Sequence, residues 1–461
     1  MLIKFYWAAA VVLAFFPAMA RDIDLEQHVR THWRTWQNKK ITSGDGGKLY
    51  KASPEQKTER IRYFKGCLER FAPHLIQEAA VVDKVFNLPP ETYLGIMRYG
   101  VLLKDNDEHN PSHECTSWVA MSDITDGKSI LIHKNRDSKG RPLTLMRRAV
   151  PGKHAWIGNG GLTSLCPTQG INDKGVVILM NSGDPMPEVE NSQYGIPTGV
   201  ICRILLEECG TAQAAVKLLE KIIADRAYSH VDSGSIWFIG DKDNVYIVEN
   251  TARRTVSKAV NSGFTARANA FHYPELQIYS LRSPLSMVMH GRREYAVRER
   301  MLEQAWRKNG LVTPQDSADA SRISQIPEEP KCYPPCGRST ISACTFVIDK
   351  EFPEILSTAY MTFSSPASSC YLPIPVVVSS IPDELMNGQY SARAFKRMDK
   401  KVPFLPEKEL KALENKLYQR HTSAVEEARK ALRNRTAPDK VKAALQKVFE
   451  ENYKDIIAAE K

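Results

Sequence analysis

A cysteine set between a polar loop and a strand-like run constrains this chain more than any other feature. Cys115 opens the stretch CTSWVAMSDITDGKSILIHKNRD. Thr116, Trp118 and Ala120 alternate with Ser117 and Val119, the two-residue period of a strand. Ile130, Leu131 and Ile132 begin a second strand that ends on Asn135, Arg136 and Asp137. Two such strands side by side bring a thiol and a carboxylate to one end of a sheet. The preceding residues, Lys104 to Glu114, are polar and read as an exposed, cleavable loop. A cut between Glu114 and Cys115 would free an α-amine beside the sulfur, and that amine can take the thiol proton.

The start of the chain reads as a secretory signal over residues 1–20. Lys4 supplies the positive end, 5–16 the apolar core, and Ala18-Met19-Ala20 the small-residue cleavage site. No later stretch has 18 unbroken apolar residues, so the expected product is a soluble periplasmic or secreted protein without stable membrane insertion. The net charge of +10 is spread among acidic residues, and no basic stripe carries stacking aromatics. Nucleic-acid binding is therefore not expected. All nine cysteines fall after the signal, in a compartment that permits disulfides. Cys332 and Cys336, with Cys344 and Cys370 nearby, form the region best suited to bridges or buried thiols. A zinc site there lacks a second ligand pair.

Residues 21–114 read as a charged helical segment, with candidate helices at 24–36, 54–80 and 90–103. From 115 to about 400 the pattern is strands, one helical block over 198–225 with a break near Gly210, then strands again. Ser235–Ile239 and Val245–Val248 flank Gly240-Asp241-Lys242-Asp243-Asn244, a hairpin signal. Residues 292–307 read as helical. The glycine-rich Gly158-Asn159-Gly160-Gly161 reads as a flexible loop over the site. Residues 401–461 read as a helical extension whose apolar stripes (Leu410, Leu413 and Leu417; Val441, Leu445, Val448 and Phe449) dock on the body. This order fits sheets inside and helices outside.

Four stretches, in order, resemble one superfamily: CTSW with KNRD after it, GINDKGVVILMNSG, ARANAFHYPEL and HGRREYAVRERML. The chain resembles the cysteine N-terminal-nucleophile (Ntn) hydrolases. That group includes acyl-coenzyme A:isopenicillin N acyltransferase-like enzymes, penicillin V acylases, choloylglycine hydrolases and related cysteine dipeptidases. The resemblance implies an α+β fold, a four-layer αββα sandwich. It also implies a helical pro-segment, 21–114, that becomes a retained small chain after self-cleavage before Cys115. Three positions depart from the pattern: Glu114 where a small residue is common, Lys134 where many relatives have Arg, and Ala270 in place of a His.

The implied site has Cys115 as nucleophile, Asp137 orienting its α-amine, and Asn181 and Asn269 donating to the oxyanion. Arg292 or Arg293 anchors the site electrostatically, and spacing does not choose between them. Lys134, Trp118 and Phe271 are candidate substrate contacts. Asn172 reads as a turn residue. The substrate class is a small-molecule amide outside ribosomal protein, and no cofactor or metal is required. The activity implied is amide hydrolysis or acyl transfer through a thioester. A cysteine dipeptidase of the same fold and a non-catalytic envelope binding protein are the alternatives. Oligomeric state has no signal in the sequence.

Overall fold

The computed structural model describes residues 53–99, 115–138, 142–161, 166–186, 194–230, 233–325 and 334–460. The expected signal peptide, the helix at 24–36, Glu114 and Cys332 lie outside them. Two compact bodies are distinguished. The first is helical: Pro54–Phe71, Pro73–Val85 and Thr92–Tyr99. Ser53 caps the first helix and Gln56 returns the bond, a capping box with Pro54 in the first turn. The single helix expected over 54–80 is two helices, because Pro73 has no N–H to continue the ladder and turns Ala72 out of helical geometry. Phe64, Leu68, Leu75 and Val82 form its buried face. The expected 90–103 helix is described only over Thr92–Tyr99.

Among the described residues the second body is built on fifteen strands. They are β1 (Thr116–Ala120), β2 (Ser129–Asp137), β3 (Leu143–Arg148), β4 (Trp156–Gly161), β5 (Gln169–Asn172), β6 (Val177–Pro185), β7 (Ile196–Pro197) and β8 (Tyr228–Ser229), followed by β9 (Ser233–Gly240), β10 (Val245–Asn250), β11 (Thr255–Ala259), β12 (Phe264–Arg267), β13 (Thr340–Asp349), β14 (Thr358–Met361) and β15 (Leu372–Pro375). One antiparallel sheet runs β12-β1-β2-β13-β14-β15, and a second runs β11-β10-β9-β6-β5-β4-β3. Val119, Ile132 and Phe346 of the first pack with Leu145, Ile171, Leu179 and Phe238 of the second in one core. Helices Thr198–Glu208 and Ala212–Ala224 lie on the second sheet, and Pro284–Val297 and Pro314–Ser321 on the first. The result is the αββα sandwich expected from the sequence, with helices outside and sheets inside.

The 198–225 block breaks at Cys209–Gly210 as expected, and Thr211 caps its second helix. The segment 158–161 is not a loop. It is part of strand β4, and its glycines are there for close approach. A Cβ on Gly158 would lie 2.4 Å from the Gln169 carbonyl oxygen, and one on Gly160 would lie 2.7 Å from that of Cys166. The extension is a helical hairpin, Glu407–Arg433 and Pro438–Ala459, whose Leu410, Leu417, Phe449 and Ile456 enter the main core. Arg429 forms a buried ion pair with Asp349 that pins the first helix of the hairpin to the end of β13. Among the described residues no helix is long and apolar enough to cross a membrane.

Candidate active site

The pleat of β1 and β2 decides which residues reach the space between the sheets. Val119 and Ile132 face the inter-sheet core, so Ser117 and, one step further, Cys115 share that face, as do Lys134 and Arg136. Thr116 pairs with Asn135 and Ser117 with Lys134, which sets Cys115 beside the Arg136 end of β2. Cys115 is 5% exposed. Lys134 is buried and donates to the Met180 carbonyl of β6 on the opposite sheet. Burial pushes its ammonium pKa down, and the neighbouring Cys115 opposes that shift. Arg136 is likewise pushed down by burial and up by Cys115.

Asn181 joins the two sheets at the same end. Its carbonyl accepts from Ser117 Oγ at 2.8 Å, and its amide nitrogen donates to the Ala268 and Arg267 carbonyls at 3.0 and 3.2 Å. Asn269 follows directly after Ala268. Its amide donates to the Ser182 carbonyl at 2.7 Å, and its own side-chain oxygen is buried without a protein partner. Buried carboxylates hold the backbone around Asn269. Ala268 N–H donates to Glu294 (2.6 Å), Phe271 N–H to Asp184 (3.0 Å), and His272 and Tyr273 N–H to Glu249 (2.9 and 3.0 Å). Arg282 binds Asp184 and the Asn269 carbonyl together. Burial raises the Glu249 pKa, and the N–H groups it accepts from pull it back. A loop held through its backbone donors on both sides of Asn269 keeps that residue at a fixed place, as a preorganised donor requires.

The outer face of β2 carries the carboxylate. Asp137 is 2% exposed and accepts from Arg293 at 3.0 Å and Thr340 at 2.5 Å. Burial raises its pKa, while Arg293 and Thr340 pull it down. Of the two candidate arginines, Arg293 is buried on Asp137 and Arg292 is exposed on the same helix. Asn135 donates to the Ser321 and Pro335 carbonyls and meets His133, whose other nitrogen meets Thr345. Burial drives His133 down to about 3, so its ring stays neutral.

Two proposed substrate contacts sit away from the thiol's face or within packed core. Trp118 stacks on His133 on the outer face, and its N–H donates to Ser317. Phe271 is 1% exposed within the core. Asn172 caps its own turn and ties the Leu206 and Cys209 carbonyls, in keeping with a turn role. The described cysteines, Cys336, Cys344 and Cys370 included, are buried thiols outside any disulfide.

Other features of the site have no signature in residue spacing. Thr340 lies 203 residues from its partner Asp137, so no local pattern points to it. The carboxylates Asp184, Glu249 and Glu294 have the same distant character. Asn159 and Gln169 are both 0% exposed, and none of their four amide atoms has a protein partner. Each such atom costs about 1–3 kcal/mol in a core.

Residues 124–316 match the profile of a family described as acyl-coenzyme A:6-aminopenicillanic acid acyl-transferase. The match begins after Cys115 and takes in Asp137, Asn181, Asn269 and Arg293. No curated protein is significantly similar. Solved structures with a similar arrangement include a mutant conjugated bile acid hydrolase from Clostridium perfringens (14% identity, 56% of this chain and 92% of that chain, TM-score 0.37). A penicillin V acylase from Agrobacterium tumefaciens matches at 16% identity, over 57% of this chain and 86% of that chain, with a TM-score of 0.36. An N-acylethanolamine-hydrolyzing acid amidase ortholog from Caenorhabditis elegans matches at 13% identity, over 50% of this chain and 92% of that chain, with a TM-score of 0.35. Over residues 124–316, less than half of its length, this chain is similar to the acyl-coenzyme A:6-aminopenicillanic acid acyl-transferases.

Proposed function

We propose that this chain is an exported, self-processing amidohydrolase or acyltransferase that works through a thioester on Cys115. The match over residues 124–316 to a family described as an acyl-transferase supports the coarser part of that statement. One observation supports the finer part best. Lys134 lies beside Cys115, Ser117 two residues on bonds Asn181, and Asn181 bonds the Ala268 carbonyl next to Asn269.

Cleavage of the Glu114–Cys115 bond by water would leave Cys115 with a free α-amine. That amine and a thiol have ordinary pKa values of about 7.7–8.0 and 8.5, close enough to exchange a proton near neutrality. Sulfur then attacks the substrate carbonyl, and the thiol proton passes to the α-amine. Asn269 is the better placed oxyanion donor. Both N–H groups of Asn181 are already directed at backbone carbonyls, so it would act by exchanging one of them. The C–N bond breaks, the leaving amine takes the proton from the α-ammonium, and a thioester remains. Water adds to that thioester, releases the acid and restores the thiol. An incoming amine in place of water gives acyl transfer. Lys134 lies beside the sulfur, within reach of the atoms that react. Asp137 lies on the other face of β2 with both oxygens engaged, so its part is to fix the end of the strand that Cys115 pairs with.

The test is a panel of N-acyl amino acids, acylated amines, β-lactam side-chain amides and dipeptides, run beside Cys115→Ala. Turnover of at least one class by the native protein and none by the variant supports the reading. Equal turnover by both sinks it, and release of amino acids from dipeptides alone moves it to the dipeptidase branch.

A further inference from the structure

The inter-sheet face beside the proposed nucleophile carries an unexplained pair of amides. Asn159 of β4 and Gln169 of β5 are direct cross-strand partners. They share the inward face with Ile157 and Ile171, which belong to the sandwich core. Leu145 lies opposite Asn159 on one side and Leu179 opposite Gln169 on the other. Both side chains are fully buried, and their two carbonyl oxygens and two amide nitrogens have no partner in the protein. A pair of leucines would fill this row at a lower free energy. Their neighbours on both sides of the row are leucines, so the amides are the exception.

Their position ties them to the site. Leu179, the partner of Gln169, directly precedes Met180 and Asn181. Met180 offers its carbonyl to Lys134, and Asn181 receives Ser117. On the facing sheet Arg136 and Ser342 are register partners that point into the same space, and Arg136 Nη1 and Ser342 Oγ also lack protein partners. Polar side-chain atoms without protein partners thus occur on the inner faces of both sheets. Gly158 and Gly160 bracket Asn159 and let β4 press against the Gln169 and Cys166 carbonyls, which holds the pair in place.

We propose that Asn159 and Gln169 form a subsite for a second amide on the substrate, so that the part entering between the sheets is peptide-like, not hydrocarbon. Each side chain presents an N–H and a carbonyl oxygen, and a secondary amide offers the complementary acceptor and donor. A site built to hydrogen-bond such a group rejects the analogue that lacks it, because its own polar atoms are then left buried and unpaired. This proposal rests on the thioester reading for its chemistry, but its binding half can be tested alone.

Two ligands of equal length serve as probes: the p-nitroanilide of acetylglycine, with an internal amide, and that of pentanoic acid, without one. Binding to Cys115→Ala is measured by calorimetry, and hydrolysis by the native chain is followed by absorbance. The expected result is at least roughly tenfold tighter binding of the acetylglycyl ligand. Asn159→Leu and Gln169→Met, each combined with Cys115→Ala, should bring that ratio towards one while melting at the same or a higher temperature. Equal binding of both ligands overturns the subsite, as does a ratio that the two variants leave unchanged. A drop in melting temperature with an intact ratio also overturns it, since the amides would then be structural. A binding contrast without hydrolysis by the native chain keeps the subsite and refutes the thioester reading. Hydrolysis without a contrast does the reverse.

Discussion

On the outer face of β2, His133, Asn135 and Asp137 are each closed by side chains or carbonyls from distant parts of the chain. On the inner face of the same strand, Lys134 reaches across to the Met180 carbonyl and meets Cys115, and Arg136 keeps one nitrogen without a protein partner. The two faces are one residue apart in sequence, so composition does not separate them. What separates them is the layer each meets. The outer face packs under helices whose polar groups complete a rigid network. The inner face lines the inter-sheet space on the side of Cys115, the proposed nucleophile. The pleat thus separates the closed network from the face on which the proposed chemistry would act.

Breaking the outer face should have the largest effect on stability. Arg293→Ala strands the Asp137 carboxylate in a buried place and should cost about 3–5 kcal/mol, read by denaturant unfolding. Arg292→Ala, on the exposed side of the same helix, should stay within about 0.5 kcal/mol. Similar losses in both would erase the distinction between the two arginines. The inner face should behave the other way. Lys134→Met removes a buried ammonium of nearly the same shape, so stability should hold while kcat falls by roughly 100-fold. A fall in melting temperature with unchanged kcat would move Lys134 to the supporting side.

A further contrast comes through pH. Burial lowers His133 and His290 to about 3 and His421 to about 4, against 6.5 when free. A depressed histidine contributes stability that is full above pH 6.5 and is lost as pH falls towards the folded value. Each group should lower unfolding stability by about 1.4 kcal/mol per pH unit within that window. Melting temperature should therefore decline as the pH falls from the free-histidine value towards the folded ones. His133→Asn should flatten part of that decline, and an unchanged slope would show that His133 titrates freely.

Much of the frame is legible because it rests on local period and punctuation. The helical block broken at Gly210, the hairpin at Gly240–Asn244 and the terminal helical hairpin all follow from residue spacing. Pro73 punctuates the 54–80 run, which spacing alone reads as one helix. The glycines of 158–161 mislead, since glycine marks close packing as well as loops, and only the neighbouring β5 backbone decides which. At the site, Cys115, Lys134 and Asn181 each stand in a motif that the sequence displays, and Asn269 stands in another. Thr340, Asp184, Glu249 and Glu294 act through pairings between segments distant in the chain. The choice of Arg293 over Arg292 depends on which side of a helix meets β2, and the apolar spacing of that helix is too sparse to show it.

The central claim is that Cys115 works as a new chain terminus. Intact mass and N-terminal sequencing of the purified, active protein give the answer. A chain that begins at Cys115 is expected, with Cys115→Ala leaving the backbone uncut after Glu114 and the protein inactive. An active preparation whose backbone runs unbroken through that junction would contradict it.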